Sequence, residues 1–145
     1  MLLYLRPDSD IPLYQQIRDQ VVNGLATGQL APGDPLPPIR QLAADFGVHF
    51  HTVNRAYDLL RQEGLIRLHR RTGAVVVCEP APPAFRDAWR ERARVLLAEA
   101  FVKGIPPEDI LAECAELLNS FVPPAGSAPS TGHSDSSPST GGVSK

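Results

Sequence analysis

The chain has 145 residues, 43% of them hydrophobic, with 14 Lys and Arg against 16 Asp and Glu for a formal net charge of −2. That length holds one domain of ordinary size or two small ones. The near-neutral charge excludes a global pull toward nucleic acid or anionic membrane, so any such binding must rest on a local patch.

The N-terminus, "MLLYLRPDSD", has no basic region and too short an apolar run for a signal peptide. The longest apolar stretch, near "VLLAEAFV", is broken by Glu99 and falls far short of a membrane span. Two cysteines, Cys78 and Cys114, are too few for a disulfide-built scaffold. They are expected as buried free thiols in a reducing compartment, and the protein as soluble and cytoplasmic.

Leu2 to Leu5 reads as a short strand. "PDSDIP" then supplies a turn and a helix start, with Asp10 near the N-cap and Pro12 in the first turn. Leu13, Ile17, Val21 and Leu25 recur every four residues and make one apolar helix face, which ends near Gly28. "APGDPLPP" is loop. Ile39, Leu42, Ala43 and Phe46 follow the helical spacing of a second, short helix stopped by Gly47. Val53, Ala56, Tyr57 and Leu60 repeat that spacing in a third, ended by Gly64. Two helices joined by a short turn with Gly at its start form a helix-turn-helix. "LIRLH" and "AVVVCE" follow as β-prone runs, a hairpin with Arg70, Arg71, Thr72 and Gly73 at its tip. The whole is a winged helix.

"PAPP" (80–83) is a linker. Phe85, Trp89, Ala93, Leu96, Ala100 and Phe101 mark a fourth helix, ended by Gly104. Ile110, Leu111, Cys114, Leu117, Leu118 and Phe121 mark a fifth, with acids in its first turn. From Pro123 to Lys145 the composition of Ser, Gly, Pro and Thr cannot offset its ordering entropy, so this tail is expected to be disordered. The fold class is therefore mainly α with a small β wing. A winged helix-turn-helix domain (1–79) precedes the linker, a two-helix dimerisation region (84–122) and the tail (123–145).

From Met1 to Glu79 eight basic residues balance eight acidic ones. Between His49 and Arg71, however, Arg55, Arg61, Arg67, Arg70 and Arg71 face only Asp58 and Glu63. The positive charge thus gathers on the third helix and the wing, the elements that face DNA in a winged helix. At about 100° per residue, His51 and Arg55 point away from the apolar face, with Thr52 and Asn54 on its flanks. These residue types suit phosphate and base edges: Arg and His donate, Asn pairs with adenine, Thr binds phosphate. His49 falls at the N-cap or nearer the core.

The segment from "IPLYQQI" through "GQLAPGDPLP", "IRQLAADFGV" and "TVNRAYDLL" to "EGLI" resembles, in order and spacing, the DNA-binding domain of GntR-type bacterial transcription regulators. The resemblance implies a homodimer on double-stranded operator DNA, probed by Arg40 of the "LP-x-x-R" segment, by His49, Phe50, His51 and Thr52 in the major groove, and by Arg55. It also implies that His69, Arg70, Arg71, Thr72 and Gly73 reach the minor groove. Asn54 joins this set from its flank. Two departures stand out. Pro38 occupies a slot where most members carry a capping Ser or Thr, a loss of roughly 1 kcal/mol. "VHFHTV" replaces the common "V-S-R-x-T-V", putting Phe50 where arginine is usual and His49 where the capping serine is usual. Arg55-Ala56-Tyr57 is similar to the short YtrA-like branch. That branch carries a two-helix dimerisation unit in place of a large effector domain, which implies packing through Phe85, Trp89, Leu96, Phe101, Leu111, Leu117, Leu118 and Phe121.

Three other readings compete. His49 and His51, with His69, would make a metal-responsive regulator, although an H-x-H pair at a helix start is expected to splay its rings and no nearby Cys or Glu completes a tetrahedral set. An enzyme is disfavoured, because no phosphate loop, nucleophile elbow or carboxylate pair is visible, and no cofactor is implied. A winged helix used for protein contact is the third. No membrane partner is expected, and no effector is named by the residues.

Overall fold

In the computed structural model the described residues are 3–122; the proposed tail and the start of the N-terminal strand lie outside them. Five helices and one hairpin follow in chain order: α1 (Leu13–Ala26), α2 (Ile39–Phe46), α3 (Phe50–Gln62), β1 (Ile66–His69), β2 (Gly73–Val76), α4 (Phe85–Val102) and α5 (Pro107–Asn119). The mainly helical winged-helix class is thus the observed one.

The apolar spacing becomes packing directly. α1 and α2 both pack on α3, and α3 also meets β1. Ile17, Val21, Val53, Tyr57, Leu60, Ile66 and Val76 are all but fully buried in one cluster. Each contributes roughly 1.5–3 kcal/mol by leaving water. Gly47 (φ +63°) closes α2, and three residues later α3 begins. Gly64 (φ +73°) closes the turn after α3, and a Cβ there would come within 3.1 Å of the Glu79 Cβ. A side chain at that position is therefore strained by the backbone conformation and also needs Glu79 to give by a few tenths of an ångström.

The helix starts differ from the expected caps. Pro12, Pro38 and Pro106 are the N-caps of α1, α2 and α5, each in an extended conformation and none with a side-chain cap bond. Asp10 does not cap α1. A proline's fixed φ sets the entry angle instead, and the first-turn N–H groups are left without a side-chain partner.

Residues 3–5 form no strand. Their hydrogen-bond partners are side chains rather than backbone. The Tyr4 N–H donates to Gln20 Oε1 (2.6 Å), and Gln20 Nε2 donates back to the Tyr4 carbonyl. One turn earlier on α1, Gln16 Oε1 accepts from the Arg6 N–H (2.8 Å) while its Nε2 donates to the carbonyls of Arg6 (2.9 Å) and Ile11 (2.8 Å). Two glutamine amides four residues apart on one helix face thus replace a neighbouring strand.

The proline-rich loop is more ordered than its composition implies. The Leu36 N–H donates to the Ala74 carbonyl (2.8 Å), the Val76 N–H to Asp34 (2.9 Å) and the Gly33 N–H to Val76 (2.8 Å). Pro35 forms an isolated antiparallel bridge with Val75. Residues 33–36 therefore line the outer edge of β2, while β1 and β2 pair in register from Ile66–Val76 to His69–Gly73. Gly73 belongs to that register, so the wing tip is Arg70 to Thr72, and β2 stops at Val76 short of the expected "CE". Cys78 and Cys114 are both free, and they are half-buried rather than buried.

α4 and α5 pack against each other and, by close backbone contact, against no other helix or strand. Neither contains a buried residue. After α5 the chain returns to the far end of α1, where the Val122 N–H donates to the Ala26 carbonyl (2.7 Å). Phe121 lies just past the end of α5 rather than on it.

Candidate nucleic-acid interface

The start of α3 is built around rings. His49 is its N-cap, in extended conformation, and its Nδ1 accepts from the His51 N–H at 3.3 Å. That bond holds one imidazole nitrogen as an acceptor and satisfies an otherwise unpaired amide. The two imidazoles stack with centroids 4.9 Å apart and planes 15° from parallel. The expected splaying of this pair does not occur, because the cap bond pulls the His49 ring back over the helix start. Phe50 completes the group, 4.0 Å from the His51 centroid and 5.4 Å from that of His49. All three residues are exposed.

From α2, Arg40 brings its guanidinium to 5.6 Å from the Phe50 centroid. α2 is steered there by Tyr57, whose hydroxyl donates to the Pro37 carbonyl at 2.6 Å. Burial holds the Tyr57 phenol well above its ordinary pKa, so it stays a donor. One turn along α3, Arg55 lies over the ring of Tyr14 on α1, 3.9 Å from its centroid. Thr52 and Asn54 are half-exposed on the flanks, and Asn54 Nδ2 leans toward Asp58 at 3.4 Å. The structure therefore gathers Arg40, His49, Phe50 and His51 at one end of α3, with Arg55 beyond them. His69, Arg70, Arg71 and Thr72 are exposed at the separate hairpin tip, with Gly73 half-buried behind them.

The ion pairs redistribute the charge counted along the sequence. Arg61 pairs with Asp58 (3.4 Å) and Arg67 with Glu79 (2.8 Å). Arg18 makes a two-pronged pair with Glu63, Nε to Oε2 at 3.0 Å and Nη2 to Oε1 at 2.9 Å, tying α1 to the end of α3. Among the described residues, Arg40, Arg55, Arg70 and Arg71 form no salt bridge. Of the arginines counted between His49 and Arg71, only Arg55 on α3 and Arg70 and Arg71 at the wing tip stay free of an acidic partner among the described residues, and Arg40 joins them from α2. Tyr14 is the contributor that sequence reasoning missed. Tyr14 lies within the "IPLYQQI" stretch that carries the resemblance, but a ring-over-guanidinium contact between two helices leaves no mark on periodicity.

Metal chemistry has no support in this geometry. Stacked, near-parallel imidazoles do not converge on one ion. Among the described residues no group of three His, Cys, Asp or Glu is placed to hold a metal.

Proteins similar in sequence and fold identify the family of this helix-turn-helix and hairpin. The family model for bacterial regulatory proteins of the gntR family fits residues 13–76. The transcriptional regulator Rv1152 of Mycobacterium tuberculosis is 36% identical over 93 residues, covering 63% of this chain and 77% of that protein. The chain belongs to the GntR family. Within it the chain is YtrA-like. The transcriptional repressor YtrA of Bacillus subtilis is 35% identical over 113 residues, covering 75% of this chain and 86% of the relative. The structure of YtrA from Sulfolobus acidocaldarius, a GntR-family transcription factor, is 37% identical with a TM-score of 0.56, covering 70% and 99%. A transcriptional antiterminator from Listeria monocytogenes has the same fold at a TM-score of 0.75, over 81% of this chain and 93% of its own, with only 21% identity. This GntR protein is thus a DNA-binding transcriptional regulator, and among its described residues no helix is long and apolar enough to cross a membrane.

Proposed function

We propose that this regulator represses transcription in the cytoplasm as a homodimer on operator DNA. The N-terminal half of α3 enters the major groove and the wing tip reaches the minor groove. The observation that carries the reading is the exposure of α4 and α5. Phe85, Trp89, Leu96, Phe101, Leu111, Leu117, Leu118 and Phe121 all remain open to solvent in the single chain. So large an apolar surface marks an interface. Charge supports a second copy as the occupant. α4 carries Arg86, Arg90, Arg92 and Arg94 against Asp87, Glu91 and Glu99, a small positive excess, whereas every charged residue of α5 is acidic: Glu108, Asp109, Glu113 and Glu116. A two-fold pairing that lays α5 of one copy on α4 of the other joins opposite charges and covers both apolar faces.

A dimer presents two recognition helices to half-sites about one helical turn apart or a multiple of it. Arg40, Arg55, Arg70 and Arg71 then neutralise phosphates or donate to base edges, and His51, Thr52 and Asn54 face the groove. The repressor assignment draws on the name given to the Bacillus YtrA relative. A cleft of about 580 Å3 between α4 and the ends of α1 and α3, lined by residues such as Val22, Leu65 and Trp89, opens to solvent along one side.

The test combines sedimentation with DNA retardation on the full chain. The expected result is a dimer that binds a selected operator and loses affinity steeply between low and moderate salt, as displaced counterions require. A monomer at every concentration, or binding indifferent to salt, sinks the reading. A reporter gene behind that operator separates repression from activation.

A further inference from the structure

We propose that Phe50 reads the C5-methyl group of a thymine in the major groove, so that the operator is specified at that position by an apolar contact rather than by a hydrogen bond. The inference rests on the operator-binding reading above and deepens it. Phe50 is the first residue of α3, next to the N-cap. It is 41% exposed and takes no part in the core cluster, which is complete without it. A large apolar ring held in water at the tip of a recognition helix needs a partner of its own kind.

The ring is also held in place. His51 lies 4.0 Å away, His49 lies 5.4 Å away, and the Arg40 guanidinium stands 5.6 Å from its centroid. Cation–π attraction to Arg40 favours this placement over a swing along the helix. Arg40 itself has no acidic partner among the described residues, so it can neutralise a phosphate beside the ring.

Phenylalanine has no donor or acceptor. Against a phosphate it forms no bond, and against the polar edge of guanine, adenine or cytosine it strips water without replacing it. The thymine methyl is the apolar group that base pairs present in the major groove. The arginine usual at this position in the wider family would instead suit guanine O6 and N7. The substitution therefore changes what is read, from a hydrogen-bonding purine to a methylated pyrimidine.

The experiment starts from an operator selected with the full-length protein. Each thymine is then replaced singly by deoxyuridine, which removes the methyl and nothing else. One thymine per half-site is expected to lose about threefold to fivefold in affinity on replacement, the value of one buried methyl. Phe50→Ala should bind the thymine and uracil forms of that operator within about twofold of each other. Phe50→Arg should shift the base selected at that position to guanine. Both substitutions are at an exposed site, and thermal unfolding confirms that the fold is retained. If no thymine shows the loss, or if Phe50→Ala keeps it, the assignment is overturned while the regulator reading stands. If the wild-type chain selects no DNA at all, the regulator reading itself falls.

Discussion

The guanidinium of Arg55 on α3 lies over the ring of Tyr14 on α1, with 3.9 Å from its carbon to the ring centroid. The contact spans two helices and holds an unpaired cation on the outward face of α3. It fixes where Arg55 points before any DNA arrives, which lowers the ordering cost of a later contact. Tyr14→Leu is expected to weaken specific operator binding by about fivefold to tenfold, the scale of one cation–π interaction. Tyr14→Phe keeps the ring and should bind as wild type does. In an Arg55→Ala background, itself expected to cost about 1–3 kcal/mol, Tyr14→Leu should add nothing. A loss that persists in that background would make Tyr14 a DNA contact in its own right rather than a positioning residue.

Tyr57 makes the corresponding link between α3 and the entry to α2, through its 2.6 Å bond to the Pro37 carbonyl. Tyr57→Phe should lower stability by about 1 kcal/mol in urea unfolding near pH 8. The pH dependence has a definite sign. Burial raises the folded-state pKa of this phenol above its ordinary value of about 10. The unfolded chain therefore ionises first. The stability due to the buried neutral phenol is full below about pH 10 and declines as pH rises beyond it. Comparing wild type with Tyr57→Phe between pH 8 and about pH 11 isolates this group from others that titrate there. A gap between the two proteins that stays constant across that range would contradict the assignment.

Gln16 is the buried polar residue on which the N-terminal segment depends. Its amide makes three hydrogen bonds to backbone groups of Arg6 and Ile11. Gln16→Leu leaves the Arg6 N–H and two carbonyls without those partners, at an expected cost of about 1–3 kcal/mol. Hydrogen exchange at the Arg6 amide should rise well above the global unfolding rate. Unchanged protection there would show that the segment is held by its side chains, Leu3 and Leu5, instead.

How much of this was legible in the sequence depends on what kind of partner each residue has. Helix faces such as Val53, Ala56, Tyr57 and Leu60 were legible, because burial on one side imposes the helical period. The histidine cap of α3 was legible as one of two alternatives for His49. The N-terminal strand was misread, since an apolar run looks the same in sequence whether a strand or two glutamine amides pair with it. The edge formed by residues 33–36 was hidden by its prolines, which argue for loop although Gly33 and Leu36 still donate to β2. Arg61 and Arg67 counted toward the basic patch, yet Asp58 and Glu79 neutralise them. Glu79 lies twelve residues beyond Arg67 on the far side of a hairpin, a pairing that no local charge count contains.

The wing carries two of the unpaired arginines, Arg70 and Arg71, at a tip where neither stacks on an aromatic ring among the described residues. That separates their expected behaviour from that of Arg55. Arg70→Ala with Arg71→Ala should weaken binding to specific and scrambled duplexes by similar factors, because phosphate contacts position the protein without reading sequence. The slope of log affinity against log salt should fall by about 2, one unit for each lost contact. Stability should be unchanged within about 0.5 kcal/mol, since both side chains are exposed. A loss confined to the selected operator, with an unaltered salt slope, would mean that the tip reads bases in the groove rather than phosphates. An unaltered affinity for both duplexes would place the wing away from DNA.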